Sequence, residues 1–271
     1  SADGKTVAFQ SNADLLGEGR PTTQYEVWIF NSSTLTYTRI TTGTGGSTRI
    51  STAPSLNADG TFVAFQSDAD LLNQGIPQGQ DEIWLYNMAS KEYTRITTAS
   101  DTNRDSRHPH ISADGNLVVF ESDSDFLGEN IPENQYEIWL YNVTSKEYSR
   151  ITTASDSGRY SLRPRLSADG RFIVFHSNTD FLNQGISSTF TFEVWLYDTE
   201  QSLLSRITTG ANNDQSSIDP SVIFDNTNLN IVFTSGAAAS TPGIPTQREI
   251  WLYEDEFPIL LYLPVVFGGN S

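Results

Sequence analysis

Five tryptophans keep a single long period. Trp28, Trp84, Trp139, Trp195 and Trp251 stand 56, 55, 56 and 56 residues apart. Asp3, Asp59, Asp114, Asp169 and Asp225 step by 56, 55, 55 and 56. Arg-Ile-Thr triplets begin at Arg39, Arg95, Arg150 and Arg206, with none in the fifth copy. Separate markers on one period outrank any residue-level reading, because each copy must bury its apolar face against the next. The clearest copy runs from Pro54 to Thr98.

Within a copy the short period is 2. Val63 and Phe65 share a face, as do Val7 and Phe9, Val118 and Phe120, Ile173 and Phe175, and Ile231 and Phe233. Ile83 and Leu85 face one way, while Glu82, Trp84 and Tyr86 face the other. Bulky groups on both faces predict strands covered on both sides. Ala58-Asp59-Gly60 supplies the dihedrals of a tight turn. The unit reads as four strands: Pro54–Leu56, Thr61–Ser67, Glu82–Asn87 and Glu92–Thr97. Four strands per copy, five copies and no long helical pattern predict an all-β chain, a five-bladed β-propeller of four-stranded antiparallel blades. The copies span about 1–42, 53–98, 108–153, 163–209 and 219–256, with an apolar tail at 257–271.

Ser-Ala-Asp-Gly, Val-Ala-Phe-Gln-Ser, Glu-Ile-Trp-Leu-Tyr and Thr-Arg-Ile-Thr occur in this order. Together they resemble the WD-like propeller repeats of TolB-type proteins and their secreted bacterial relatives, over about residues 1–256. The resemblance implies the propeller fold, a binding or scaffolding role, and a location outside the cell or at its surface, periplasmic in a diderm bacterium. It does not specify a ligand. The copies are longer than the roughly 40–45 residues of common four-stranded blades. The separate N-terminal domain of TolB is absent, so TolB's partners are not carried over.

The chain has 271 residues, enough to bury a large core in one propeller. It carries 33 acidic and 16 basic residues, a net charge of −17. That argues against a nucleic-acid partner and an anionic membrane surface. Without cysteine, neither disulfides nor thiolate metal sites can form. No run is long enough to cross a bilayer, since Ile259–Phe267 has half the necessary length and contains Pro264. The chain opens in mid-repeat at Ser1-Ala2-Asp3-Gly4, which points to processing or truncation.

The first copy lacks its first strand, and the fifth is irregular at Asp225-Asn226 and at Gly236–Ala239. The tail is the one apolar strand left over: Phe257, Ile259, Leu260, Leu261, Tyr262, Leu263, Val265 and Val266. Ile259–Leu263 stands where a fourth strand belongs, and Leu263-Pro264-Val265-Val266 also resembles the start of a first strand. The tail either closes the ring within the chain or pairs with the open first blade of a neighbour, building a head-to-tail fibre.

Ser67-Asp68-Ala69-Asp70-Leu71-Leu72 recurs as Ser11–Leu16, Ser122–Leu127 and Ser177–Leu182. Paired aspartates suggest calcium, whereas four repetitions suggest a capping box in which Asp reaches back to Ser. The best place for an ion is Glu121, Asp123, Asp125 and Glu129. The repeated arginines recur with Glu26, Glu82, Glu137 and Glu193 and read as structural ion pairs. The repeated Trp and Tyr read as packing rather than sugar-stacking platforms.

Of the 16 basic residues, six lie in the linkers between copies or in first strands, Arg49, Arg104, Arg107, Arg159, Arg163 and Arg165, joined by His108 and His110. Inner strands border a propeller's channel. Arg104, Arg107, His108, His110, Arg163 and Arg165 therefore form a candidate patch for the anionic group of an acidic peptide or glycan. The alternative is local pairing with Asp101, Asp105 and Asp156. Catalytic motifs are lacking, and the hydrolase domain of propeller-bearing prolyl oligopeptidases is not in this chain. The expected protein is thus a non-catalytic module that binds a protein or itself, with calcium as its one candidate cofactor. A glycosidase or lyase is the distant alternative.

Overall fold

The computed structural model describes residues 1–19, 23–42, 49–98, 103–154, 158–186, 191–209, 216–225, 227–235, 249–254 and 261–263. They form nineteen strands in five antiparallel sheets and two compact units, Ser1–Ile151 and Thr152–Ser271. None of the described residues forms a helix long and apolar enough to cross a membrane.

The first unit holds three sheets. The first has β1 (Thr6–Ser11), β2 (Glu26–Asn31) and β3 (Thr36–Arg39). The second has β4 (Ser51–Leu56), β5 (Phe62–Ser67), β6 (Glu82–Asn87) and β7 (Glu92–Arg95). The third has β8 (Ser106–Ile111), β9 (Leu117–Ser122), β10 (Glu137–Asn142) and β11 (Glu147–Arg150). In the second unit, the fourth sheet has β12 (Ser161–Leu166), β13 (Phe172–Ser177), β14 (Glu193–Asp198) and β15 (Leu203–Arg206). The fifth has β16 (Ser217–Phe224), β17 (Leu229–Ser235), β18 (Glu249–Glu254) and β19 (Leu261–Leu263). The first strand of a full copy begins three residues before the expected Pro54, and the last stops at Arg95 rather than Thr97.

Every complete first strand carries a bulge at its proline. The register slips between Thr52 and Ser55, Arg107 and His110, Leu162 and Arg165, and Ile218 and Ser221. Proline has no N–H, so it fits where the ladder is broken. The residue before it is left-handed: Ala53, His108, Arg163 and Asp219 have φ of 49°, 51°, 55° and 50°. Three of these N–H groups bond to a side chain at one fixed slot of the preceding sheet. Ala53 donates to Gln10 Oε1 (2.7 Å), His108 to Gln66 Oε1 (2.9 Å) and Asp219 to His176 Nδ1 (3.2 Å). His176 therefore does a glutamine's work.

The repeat motifs are spent on holding strands and sheets. Trp28, Trp84, Trp139 and Trp195 are at most 1% exposed, too deep to stack on a sugar. In Arg-Ile-Thr, Ile96 enters the core, and Thr97 Oγ1 accepts from Ile83 N–H (2.8 Å) and donates to the buried Glu82. Arg95 pairs with the same glutamate at 2.6 Å. Arg150–Glu137 (3.2 Å) and Arg206–Glu193 (3.1 Å) repeat the pair. Within the first unit, Tyr93 Oη donates to the Ile40 carbonyl and Tyr148 Oη to the Ile96 carbonyl, tying each sheet to the one before.

Leu261, Tyr262 and Leu263 pair with Leu252, Trp251 and Ile250 of the same chain, as the fourth strand of the fifth sheet. Phe257, Ile259, Leu260, Val265 and Val266 lie outside the described residues, as do Asn226 and Gly236–Ala239.

Candidate functional site

The Ser-Asp loops are built from their own backbone. Ser67 Oγ accepts from the N–H two residues on (2.9 Å), and Ser11, Ser122 and Ser177 do the same. The second aspartate reaches forward, not back as a capping box requires. Asp125 accepts from the N–H groups of Glu129 (2.8 Å) and Asn130 (2.7 Å), and Asp70 from those of Gln74 and Gly75. These backbone donors outweigh burial and hold Asp125 below the usual carboxylate range.

The four residues suggested for calcium are each engaged elsewhere. Glu121 Oε1 lies 2.8 Å from His108 Nδ1, and Glu129 pairs with Arg150 at 2.9 Å. Asp123 accepts from the N–H groups of Asp105 and Asn134, both at 2.8 Å, and burial raises its carboxyl above the ordinary range. Among the described residues no three His, Asp or Glu side chains gather in an arrangement that could hold a metal ion.

Arg104 belongs to the scaffold. Its Nη1 donates to the Asp123 carbonyl, as Arg49 does to Asp68 and Arg159 to Asn178. These three arginines repeat at 55-residue steps, a period the sequence reading overlooked.

What remains is a cluster where the second and third sheets meet. Arg107, the second residue of β8, sets Nη2 2.6 Å from Asp105 Oδ2 and Nε 3.3 Å from Asp81 Oδ2. Its guanidinium lies 5.5 Å from the centre of the Tyr136 ring, a cation–π contact. Tyr136 Oη donates to Asp105 Oδ2 (3.4 Å), Gln66 Nε2 to Asp81 Oδ2 (3.4 Å), and Asp81 N–H to Asp105 Oδ1 (2.8 Å). His108 and Glu121 continue the cluster.

Two carboxylates share one guanidinium here, and Asp105 holds the shorter contact. Burial, with the charges of Asp105 and Asp68, pushes the Asp81 carboxyl up to about 6 against the pull of Arg107. Burial also pushes the Tyr136 hydroxyl well up. For Arg107, burial is outweighed by Tyr136, Asp105 and Asp81, and the guanidinium is held more firmly charged.

Of the residues expected to form a basic patch, Arg107 and His108 stand together, but among carboxylates. The local pairing with Asp105 is present, while Asp101 and Asp156 lie outside the described residues. His110 is half-buried opposite Val119. Arg163 and Arg165 belong to the second unit: Arg163 is exposed, and Arg165 is half-buried with Nη1 3.1 Å from the Pro164 carbonyl. Asp81, Gln66 and Tyr136 were missed. Asp81 was visible as the only acid in a slot held by Tyr25, Tyr136, Phe192 and Arg248 in the other copies.

No family model matches this chain, and no curated protein matches it. Solved structures do. TolB from Acinetobacter baumannii is 20% identical, with a TM-score of 0.50 over 86% of this chain and 50% of that one. The fold is that of a TolB-like propeller. An oligogalacturonate lyase from Vibrio parahaemolyticus is 14% identical, with a TM-score of 0.59 over 97% of this chain and 62% of that one. Dipeptidyl peptidase 4 from Porphyromonas gingivalis is 13% identical, with a TM-score of 0.56 over 89% and 36%. The chain thus spans about half the length of the Acinetobacter TolB. These likenesses correct one expectation. A lyase and a peptidase share the TolB-like fold, so the repeat architecture gives no ground for reading the chain as non-catalytic.

Proposed function

We propose that this chain is a recognition module, a TolB-like propeller whose five sheets act as blades. It docks a basic segment of a protein partner at the Arg107 cluster, in a setting outside the cytoplasm. The supporting observation is a division of labour. Repeated residues are consumed by the scaffold, whereas residues that break the repeat stand together and reach solvent in part, Arg107 at 37%, Asp105 at 17% and Asp81 at 16% exposed.

The charge balance favours a cation. Asp81, Asp105 and Glu121 face Arg107 and His108, so carboxylates outnumber basic side chains three to two. The whole chain carries −17. Such a field draws in basic segments and repels acidic ones. The setting follows from the TolB-type resemblance.

The test is fluorescence anisotropy with a labelled lysine-rich peptide and a glutamate-rich one. The basic peptide should bind, and a D81N/D105N double variant that melts like wild type should weaken it at least tenfold. Equal binding of both peptides, or an unaltered affinity in the variant, overturns the reading.

A further inference from the structure

The four Arg-Ile-Thr arginines hold one slot and use it differently. Arg150 engages two carboxylates, Glu137 at 3.2 Å and Glu129 at 2.9 Å. Arg39 likewise sets Nη1 on Glu18. Arg206 sets Nη2 on Glu193 (3.1 Å), Nε on the Thr208 carbonyl (2.8 Å) and Nη1 on the Gln184 carbonyl (3.4 Å). Among the described residues Arg95 bonds through Nη2 alone, to Glu82 at 2.6 Å. Among the described residues its Nε, like that of Arg39, is buried without an acceptor.

The slot filled by Glu18 and Glu129 holds Gln74 in the second sheet and Gln184 in the fourth, where Arg206 is met by the backbone carbonyls of Thr208 and Gln184 instead. In the second sheet this slot borders a groove of about 560 Å³, lined by Leu72, Gln74, Tyr93, Thr94, Arg95 and Thr98. Leu72 is 41% exposed and offers an apolar wall. The Tyr93 ring opposite is held by its hydroxyl on Ile40 and by edge contact with Trp84 at 6.5 Å. Arg95 is 11% exposed, so a partner would meet it largely out of water.

We infer that this groove binds a carboxylate of a ligand, the group seated on Arg95 and its stem against Leu72 and Tyr93. A guanidinium fork matches a carboxylate better than any other common anion of its size. The first and third sheets supply the precedent, since each places a carboxylate of its own chain on the equivalent arginine. The pair Arg95–Glu82 is neutral, so a second carboxylate there gives the charge state already present around Arg150. The groove is separate from the Arg107 cluster, and neither assignment rests on the other.

The experiment follows the arginine Nε–Hε signals of the full chain by NMR. The probes are N-acetylglutamic acid amide, glucuronate and the neutral N-acetylglutamine amide. The Arg95 signal should move with one or both carboxylates at a Kd of roughly millimolar order, and stay still with the amide. Whichever carboxylate acts identifies the source as acidic side chain or sugar acid. Q74E, which installs the residue native to the first and third sheets, should weaken binding at least tenfold. E129Q should bring Arg150 into response as a second site. An Arg95 signal indifferent to both carboxylates, a Q74E protein that binds like wild type, or an Arg150 that stays silent in E129Q overturns the inference.

Discussion

The second and third sheets share Trp84 and Trp139, Glu82 and Glu137, Arg95 and Arg150, Tyr93 and Tyr148 at matching positions. They differ where those residues meet water. Gln74 faces Arg95 where Glu129 faces Arg150, and Asp81 stands where Tyr136 stands. The common set fixes strands and cannot change without loss of packing. The differing set alters which charges are neutralised inside the chain and which are offered outside it.

The largest test of that contrast lies in the buried glutamates. Glu82 and Glu137 are both 0% exposed. Removing one partner of a buried pair costs about 3–5 kcal/mol, because the other charge is left behind. E82A strips Arg95 of the one carboxylate it meets among the described residues, whereas E137A leaves Arg150 its contact with Glu129. Urea denaturation should therefore place E82A at the upper end of that range and E137A at or below the lower end. The double variant E129Q/E137A should fall to the level of E82A. Equal losses in the two single variants would show that Glu129 contributes nothing to Arg150.

Asp81 separates the sheets by pH. Its carboxyl titrates near 6 in the folded chain, against about 4 when unfolded. The folded state therefore holds its proton more tightly between these values. The stability it lends is full below pH ~4 and lost as pH rises through about 6, a change on the order of 3 kcal/mol for two pKa units. Asp123 is also raised by burial and acts with the same sign. Midpoints measured at pH 4.5 and 7 should differ more in wild type than in D81N. An identical difference in both proteins would place the Asp81 carboxyl at its ordinary value.

Much of the fold was legible because the period multiplied each signal. One Trp or one Arg-Ile-Thr says little, but several in register named the strands, and the buried Glu–Arg pairs followed from co-occurrence. The bulges were less legible, since X-Pro ordinarily reads as extended chain and nothing local announces φ near 50° at Ala53 or His108. The site was least legible. A basic patch read along the chain ignores acids from the neighbouring sheet: Asp81 is 26 residues from Arg107 and yet touches it. The 55-residue step linking Arg49, Arg104 and Arg159 was present in the sequence and would have removed Arg104 from the patch.

The tight turns give the smallest and most local comparison. Gly60 and Gly115 occupy the same turn position in the second and third sheets, with φ of 75° and 79°. Either alanine variant meets a left-handed penalty of about 1 kcal/mol. The surroundings differ, because each turn rests on the preceding sheet. A Cβ at Gly115 would stand 2.9 Å from Phe62 Cδ2, while one at Gly60 would stand 3.3 Å from Thr6 Oγ1. An aromatic ring packed against the core yields less readily than a hydroxyl near the surface. G115A should therefore cost about 1–3 kcal/mol and G60A about 1. Gly4, with nothing within 4 Å of its Cβ position, isolates the backbone penalty alone. If thermal melts show G4A, G60A and G115A losing equally, the turn of the third sheet is not seated on Phe62. The joint that brings Asp81 to Arg107 would then have to be held by the strands alone.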